Sequence, residues 1–189
     1  DPAGPMSSAG IDVYRRLLDQ GELTLRVNVL RFPTGMSPSL AEFRSGLEQL
    51  GAVATPDPRR LDVVGVKIFA DGIPPNKTAW MYDEYVSGGY GSLTVQADTD
   101  EQRVADLHEM VRIGHDLGYQ VGVHVTGDRS ADEVIKAFVE ACEAGLALRL
   151  PGLGGHADPL KFLRQGALAG RLLLLFEFQP FRLLLQPRG

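Results

Sequence analysis

Hydrophobic and polar positions along the chain switch repeatedly between two periods. Residues 11–20 (IDVYRRLLDQ) carry apolar side chains at helical spacing and stop at Gly21, whereas 23–32 (LTLRVNVLRF) alternate and predict a strand ended by Pro33. Ser37 and Pro38 read as cap and first position of a helix over 38–50, closed by Gly51. Residues 62–70 (DVVGVKIFA), rich in β-branched side chains, predict a second strand, and a long loop follows from Asp71 to Asp98. A helix over 99–117 has Thr99 as its cap, with Val104, Leu107, Met110, Val111 and Leu117 on one face and Gly118 at its end. Then come a strand over 119–125 (YQVGVHV), a tight turn at Thr126-Gly127-Asp128, and an amphipathic helix over 130–144 ended by Gly145.

Strands alternating with helices of this length predict βαβ units and a parallel sheet, an α/β fold built as an open sheet or an arc of a barrel. From Gly145 onward the character changes. Residues 145–189 hold two acids, Asp158 and Glu177, against six Lys/Arg, while the whole chain has 24 acids and 19 bases. The run RLLLLFEF in this tail can be a buried parallel strand. It can equally be an altered continuation of a sequence that once read differently.

The 189 residues are 44% hydrophobic and 23% charged, enough for one sizeable core. The net charge of -5 argues against a nucleic-acid partner, which needs clustered Lys/Arg. The single cysteine, Cys142, has no internal disulfide partner and lies in a helical pattern, which fits a reducing, cytoplasmic setting. The longest apolar run, Leu172–Phe176, is far short of the ~20 residues of a membrane span. The opening Asp-Pro-Ala-Gly-Pro reads as a start inside a larger frame.

In α/β sheets chemistry collects where loops leave the carboxyl ends of strands. Three positions meet that rule. Alternation puts Lys67, Phe69 and Asp71 on one face of the second strand, His124 lies near the end of the strand VGVHV with Asp128 on the turn after it, and His156 and Asp158 lie in GGHADP. Each also has an ordinary explanation. Lys67 suits a solvent-facing strand position, His124 a hydrogen-bonded core position, and Asp128 a helix cap. His108 and His115, on the 99–117 helix, read as solvent-facing structural residues. Taken together, a lysine and two histidines from successive strand ends would converge on one point. Imidazole is a common ligand of zinc and other first-row metals. A lysine joins such a set once its amine is carboxylated, and the metal then polarises a carbonyl and activates water.

The ordered motifs VKIFADG, TAWMYDEY, HEMVRIGHDLGYQ and VGVHVTGDRSADEVIKAF resemble the amidohydrolase superfamily, in particular its YtcJ-like (amidohydrolase 3) branch. The resemblance runs from about residue 10 to 144 and more weakly through GGHAD. It implies a (β/α)₈ barrel hydrolase acting on C–N bonds of amides, N-formyl groups or cyclic imides, with one or two divalent metals, zinc foremost, and a small amide-like substrate. Carried over by position, His124 and His156 match the strand-end metal ligands, and Lys67 the carboxylated-lysine or acidic ligand. Lys67 and Asp128 are then the candidate catalytic residues. Asp71 and Asp128 match residues that orient loops and ligands, and Asp71, Trp80, Tyr82 and Tyr85 are the candidate substrate-binding set.

The chain also departs from that pattern. It contains no His-x-His pair, which the family places on its first strand, and no counterpart of the last-strand aspartate. A complete barrel typically takes ~250 residues. The expectation is therefore a single partial barrel domain over 1–189, an internal fragment of about the third to seventh strands, with an atypical tail from 145. Such a piece is expected to be inactive in isolation, and its exposed sheet edges favour pairing with a second copy. Two alternatives stand beside it: a truncated barrel with no catalytic role, and a barrel enzyme using Lys67 as a Schiff-base nucleophile.

Overall fold

Helices and strands alternate through the chain, and every strand runs parallel to its neighbour. In the computed structural model the described residues are 8–50, 55–149 and 172–176. They form α1 (Ser8–Asp19), β1 (Val27–Arg31), α2 (Leu40–Leu50), β2 (Leu61–Phe69), a single 3₁₀ turn (Pro74–Asn76), α3 (Asp100–Asp116), β3 (Gln120–Val125), α4 (Asp128–Arg149) and β4 (Leu172–Phe176). The strands lie in sequential order β1-β2-β3-β4. A doubly wound sheet would reverse direction at a switch point, whereas sequential parallel order is the arrangement of a barrel wall. The run RLLLLFEF thus supplies a parallel strand, paired from Val121↔Leu172 to Val125↔Phe176.

Local chemistry explains where the element bounds differ from the sequence expectation. β1 begins at Val27, not Leu23, because the end of α1 is wrapped by a Schellman turn. Gly21 takes a left-handed φ of 73°, the Glu22 N–H donates to the Leu17 carbonyl at 2.8 Å, and the Gly21 N–H donates to Leu18 at 3.0 Å. The next residue, Leu23, is buried against α1. α2 is capped by Ser39, not Ser37: the Ser39 N–H and hydroxyl donate to Glu42 Oε2, both at 2.8 Å, and the Glu42 N–H donates back to Ser39 Oγ at 3.3 Å. This is a capping box. Ser37 instead ties two loops together, its hydroxyl donating to the Thr94 carbonyl and its own carbonyl accepting from Gln96 Nε2 at 2.6 Å.

α3 starts as expected, with Thr99 Oγ1 accepting from the Gln102 N–H at 3.2 Å. Leu117 is a correction: it is the cap residue and is exposed instead of lining the buried face. α4 begins at Asp128 and passes through Gly145 to Arg149. A helical glycine costs about 1 kcal/mol relative to alanine, and the good helix formers Leu-Ala-Leu-Arg that follow continue the helix past it. Cys142, on α4, is a free buried thiol whose pKa burial pushes up.

A register shift in β2 sorts its side chains. Val29 pairs with Val63, yet the next residue, Leu30, pairs with Gly65, leaving Val64 as an extra residue. Paired residues share a face and successive β1 residues oppose, so Val63 and Gly65 point to opposite faces although they lie two apart. Leu61 and Val63 consequently pack with Leu23, Val29 and the α1 side chains Tyr14, Leu17 and Leu18. Beyond the bulge, Val66, Ile68 and Ala70 join Val121, Val123 and Val125 of β3 in the main core with Phe43 and Leu47 of α2, Leu107, Met110 and Val111 of α3, and Val134 and Phe138 of α4. The opposite face therefore carries Gly65, Lys67 and Phe69 of β2 with Gly122 and His124 of β3. Among the described residues no helix is long and apolar enough to cross a membrane.

Candidate functional site

The face turned away from the main core holds both Lys67 and His124. β2 and β3 pair in register, Lys67 with Gly122 and Phe69 with His124, so the lysine and the histidine flank one phenyl ring. Lys67 Nζ lies 5.5 Å from the Phe69 centroid. The His124 ring is 4.9 Å from it, tilted by 42°. The other neighbour of Phe69 is Phe32, at the end of β1, stacked at 5.4 Å and 10°. Lys67 and His124 are 7% and 9% exposed. A lysine so buried is no ordinary solvent-facing strand residue. Gly122 leaves the space opposite Lys67 without a side chain.

Immediately beyond β2, Asp71 anchors the loops bordering this face. It is 1% exposed. Its Oδ1 accepts from the Thr126 N–H at 2.9 Å and the Thr126 hydroxyl at 3.4 Å. Its Oδ2 accepts from the N–H groups of Trp80 at 3.0 Å and Gly127 at 2.8 Å, and from the Ser130 hydroxyl. A buried carboxylate is tolerated where several donors converge on it, and here it also meets the positive end of α4. These donors come from the long loop and from the β3–α4 turn, so one side chain fixes both. Gly127 has to be glycine, since a Cβ there would lie 2.1 Å from the Trp80 carbonyl oxygen.

The other candidates from the sequence are spread around this anchor. Trp80 packs within the main core, with the Arg129 guanidinium 4.0 Å above its ring. Asp128 is exposed, and its Oδ1 accepts from the N–H of Tyr82 at 2.9 Å and of Arg129 at 2.7 Å. Tyr82 lies along α4, its hydroxyl donating to Asp132 at 2.8 Å, and that bond raises the phenol's pKa. Tyr85 donates to the Ala79 carbonyl at 2.9 Å. Burial is the first cause of its raised pKa, followed by the charges of Asp71 and Asp128. The structure thus brings Lys67 and His124 together, ties Asp71 to their loops, and seats Trp80 in the core.

His108 and His115 are not solvent-facing as the sequence suggested. Their side chains are mostly buried, and His108 sits between two carboxylates of α4, 2.9 Å from Glu140 and 3.3 Å from Glu133. His156 and Asp158 lie outside the described residues. Sequence reading passed over Phe32, Thr126 and Ser130. Only Phe69 was signalled, by its alternation with Lys67. The other three are brought in by register and by a turn geometry that hydrophobic periodicity does not encode.

Among the described residues no group of three or more His, Cys, Asp or Glu is arranged to hold a metal. An imidazole and a lysine amine on one face fit part of a metal site, and the described residues alone do not complete one. The model of the amidohydrolase family matches residues 3–159. No curated protein matches the chain. Among solved structures, an uncharacterized metal-dependent hydrolase from Pyrococcus furiosus is similar over 73% of this chain and 26% of its own, at 26% identity and a TM-score of 0.53. A second, from Pyrococcus horikoshii OT3, shares 23% identity over 71% of this chain and 25% of its own, with a TM-score of 0.48. The chain thus spans about a quarter of the length of the solved hydrolases it matches.

Proposed function

Because the chain belongs to the amidohydrolase family, we propose that it is the part of a metal-dependent hydrolase that holds two of the metal's ligands, His124 and Lys67. The observation carrying this is their placement on one face, at the carboxyl ends of adjacent parallel strands. His124 would offer a ring nitrogen. Lys67 would become an anionic ligand when its amine nitrogen adds to carbon dioxide and releases a proton, forming a carbamate. Its burial near the carboxyl end of β2, beside His124's strand, supports that reading. A divalent metal held there, zinc foremost, would polarise the substrate carbonyl and activate water. Asp71 and Asp128 hold the loops bordering the face, and Tyr82 and Tyr85 belong to the loop that would meet a small substrate. His156 is proposed as a further ligand by its position in GGHAD.

The class of substrate follows from the YtcJ-like resemblance: amides, N-formyl groups or cyclic imides. With no group of three or more His, Cys, Asp or Glu arranged to hold a metal among the described residues, the 189-residue chain by itself is expected to show negligible hydrolysis. Zinc uptake provides the test, measured by elemental analysis after equilibrium dialysis of the 189-residue chain. The expected result is uptake that falls at least about tenfold in H124A. Absence of uptake, or uptake indifferent to H124A, would overturn the assignment.

A further inference from the structure

We propose that Phe69 is a positioning residue for Lys67 and His124, a role that rests on the reading of those two as ligands. Register makes Phe69 a same-face neighbour of both: it is the residue of β2 paired with His124 and lies two positions beyond Lys67 on the same strand. The contacts follow from that placement, with the imidazole 4.9 Å and Lys67 Nζ 5.5 Å from its ring centre. An imidazole attached to the backbone through two rotatable bonds can turn its ring, and with it the nitrogen it offers. A phenyl ring against it removes that freedom. A lysine has four side-chain torsions, and the Phe69 ring, 5.5 Å from Nζ, packs beside the end of that chain and narrows the positions its head group can take. Phe69 is itself held, because Phe32 from the neighbouring strand stacks on it almost in parallel, at 10°. Phe32, just past β1, Phe69 of β2 and His124 of β3 therefore form one row of rings ending on the histidine. An aliphatic side chain of similar volume would fill the space without supplying a flat surface to orient either group.

Hydrogen-bonded partners that orient metal ligands typically change metal affinity about 10- to 100-fold when lost, and a packing contact is expected at the lower end of that range. The variants F69L and F69Y, made in the 189-residue chain, separate orientation from packing. Three quantities are compared: the circular dichroism spectrum, the chemical shifts of the His124 ring protons, and zinc affinity by competition with a chromophoric chelator. The expected result is an F69L chain that stays folded, loses the ring-current shift at His124 and binds zinc about tenfold or more weakly, while F69Y behaves like the parent. A folded F69L with unchanged His124 shifts and unchanged zinc affinity overturns the proposal. If the parent chain takes up no zinc, the ligand reading fails on its own, and unchanged His124 shifts in F69L would then overturn the positioning contact separately. Should F69L not fold, F32L takes its place: removing the backing ring is expected to weaken zinc binding and move the His124 shifts, and parent-like values for both would overturn the proposal.

Discussion

Asp71 shows how much one side chain can determine here. Its two oxygens gather donors from Trp80, Thr126, Gly127 and Ser130, residues separated from it by between 9 and 59 positions. Removing the carboxylate strands those buried donors, each costing ~1–3 kcal/mol when left without a partner. D71A is therefore expected to lower the stability of the chain by on the order of 3 kcal/mol, measured by urea unfolding. Trp80 is the single tryptophan and is buried, so its emission should also shift to the red before global unfolding. A D71A chain with parental stability and parental emission would show that the loop holds its place by other means. At this scale the sequence was legible where a residue type is unusual for its place, as with the lysine in VKIFADG. It was not legible where the decisive feature is a hydrogen bond from a distant turn: nothing in the spacing of Asp71 and Ser130 announces that they meet.

At the level of elements, the order of helices and strands could be read from periodicity, because each helix and strand buries one face and the apolar spacing records it. The ends could not be read as well. Ser37-Pro38 and Ser39-x-x-Glu42 both look like helix starts, and hydrogen bonding selects the second while assigning Ser37 to hold the loop at Thr94. That choice has a pH signature. The Ser39 N–H first, and its hydroxyl second, hold the Glu42 carboxyl below the usual glutamate range. A depressed carboxyl contributes stability above its unfolded value of about 4.3 and loses it as pH falls through the folded value. Unfolding midpoints measured across the acid range are expected to drop less steeply with falling pH in E42Q than in the parent. Identical slopes would remove Glu42 from the cap.

For the whole molecule, sequential parallel strands with helices gathered on one face make a segment of barrel wall. Within the described residues β1 and β4 each have one neighbouring strand. Unpaired edges favour association, so light scattering coupled to size exclusion is expected to show a mass that rises with concentration. A single monomeric mass throughout would mean that the edges are protected. The barrel class was legible from the alternation of elements and from ordered motifs. The division of β2 between two packing clusters was not, because an extra residue leaves no mark in the run Val63-Val64-Gly65-Val66, which has no polar position to show a break in alternation. That extra residue gives the strand a tolerance in length. Since Val64 is the unpaired member, deleting it would make Val63 and Gly65 successive residues, which point to opposite faces just as they already do. A chain lacking Val64 should fold with Lys67 still on the face of His124, seen as retained proton contacts between the Phe69 and His124 rings; their loss would show that β2 does not tolerate the shortening. The bulge is a place where β2 can be shortened by one residue without moving the chemistry at its end.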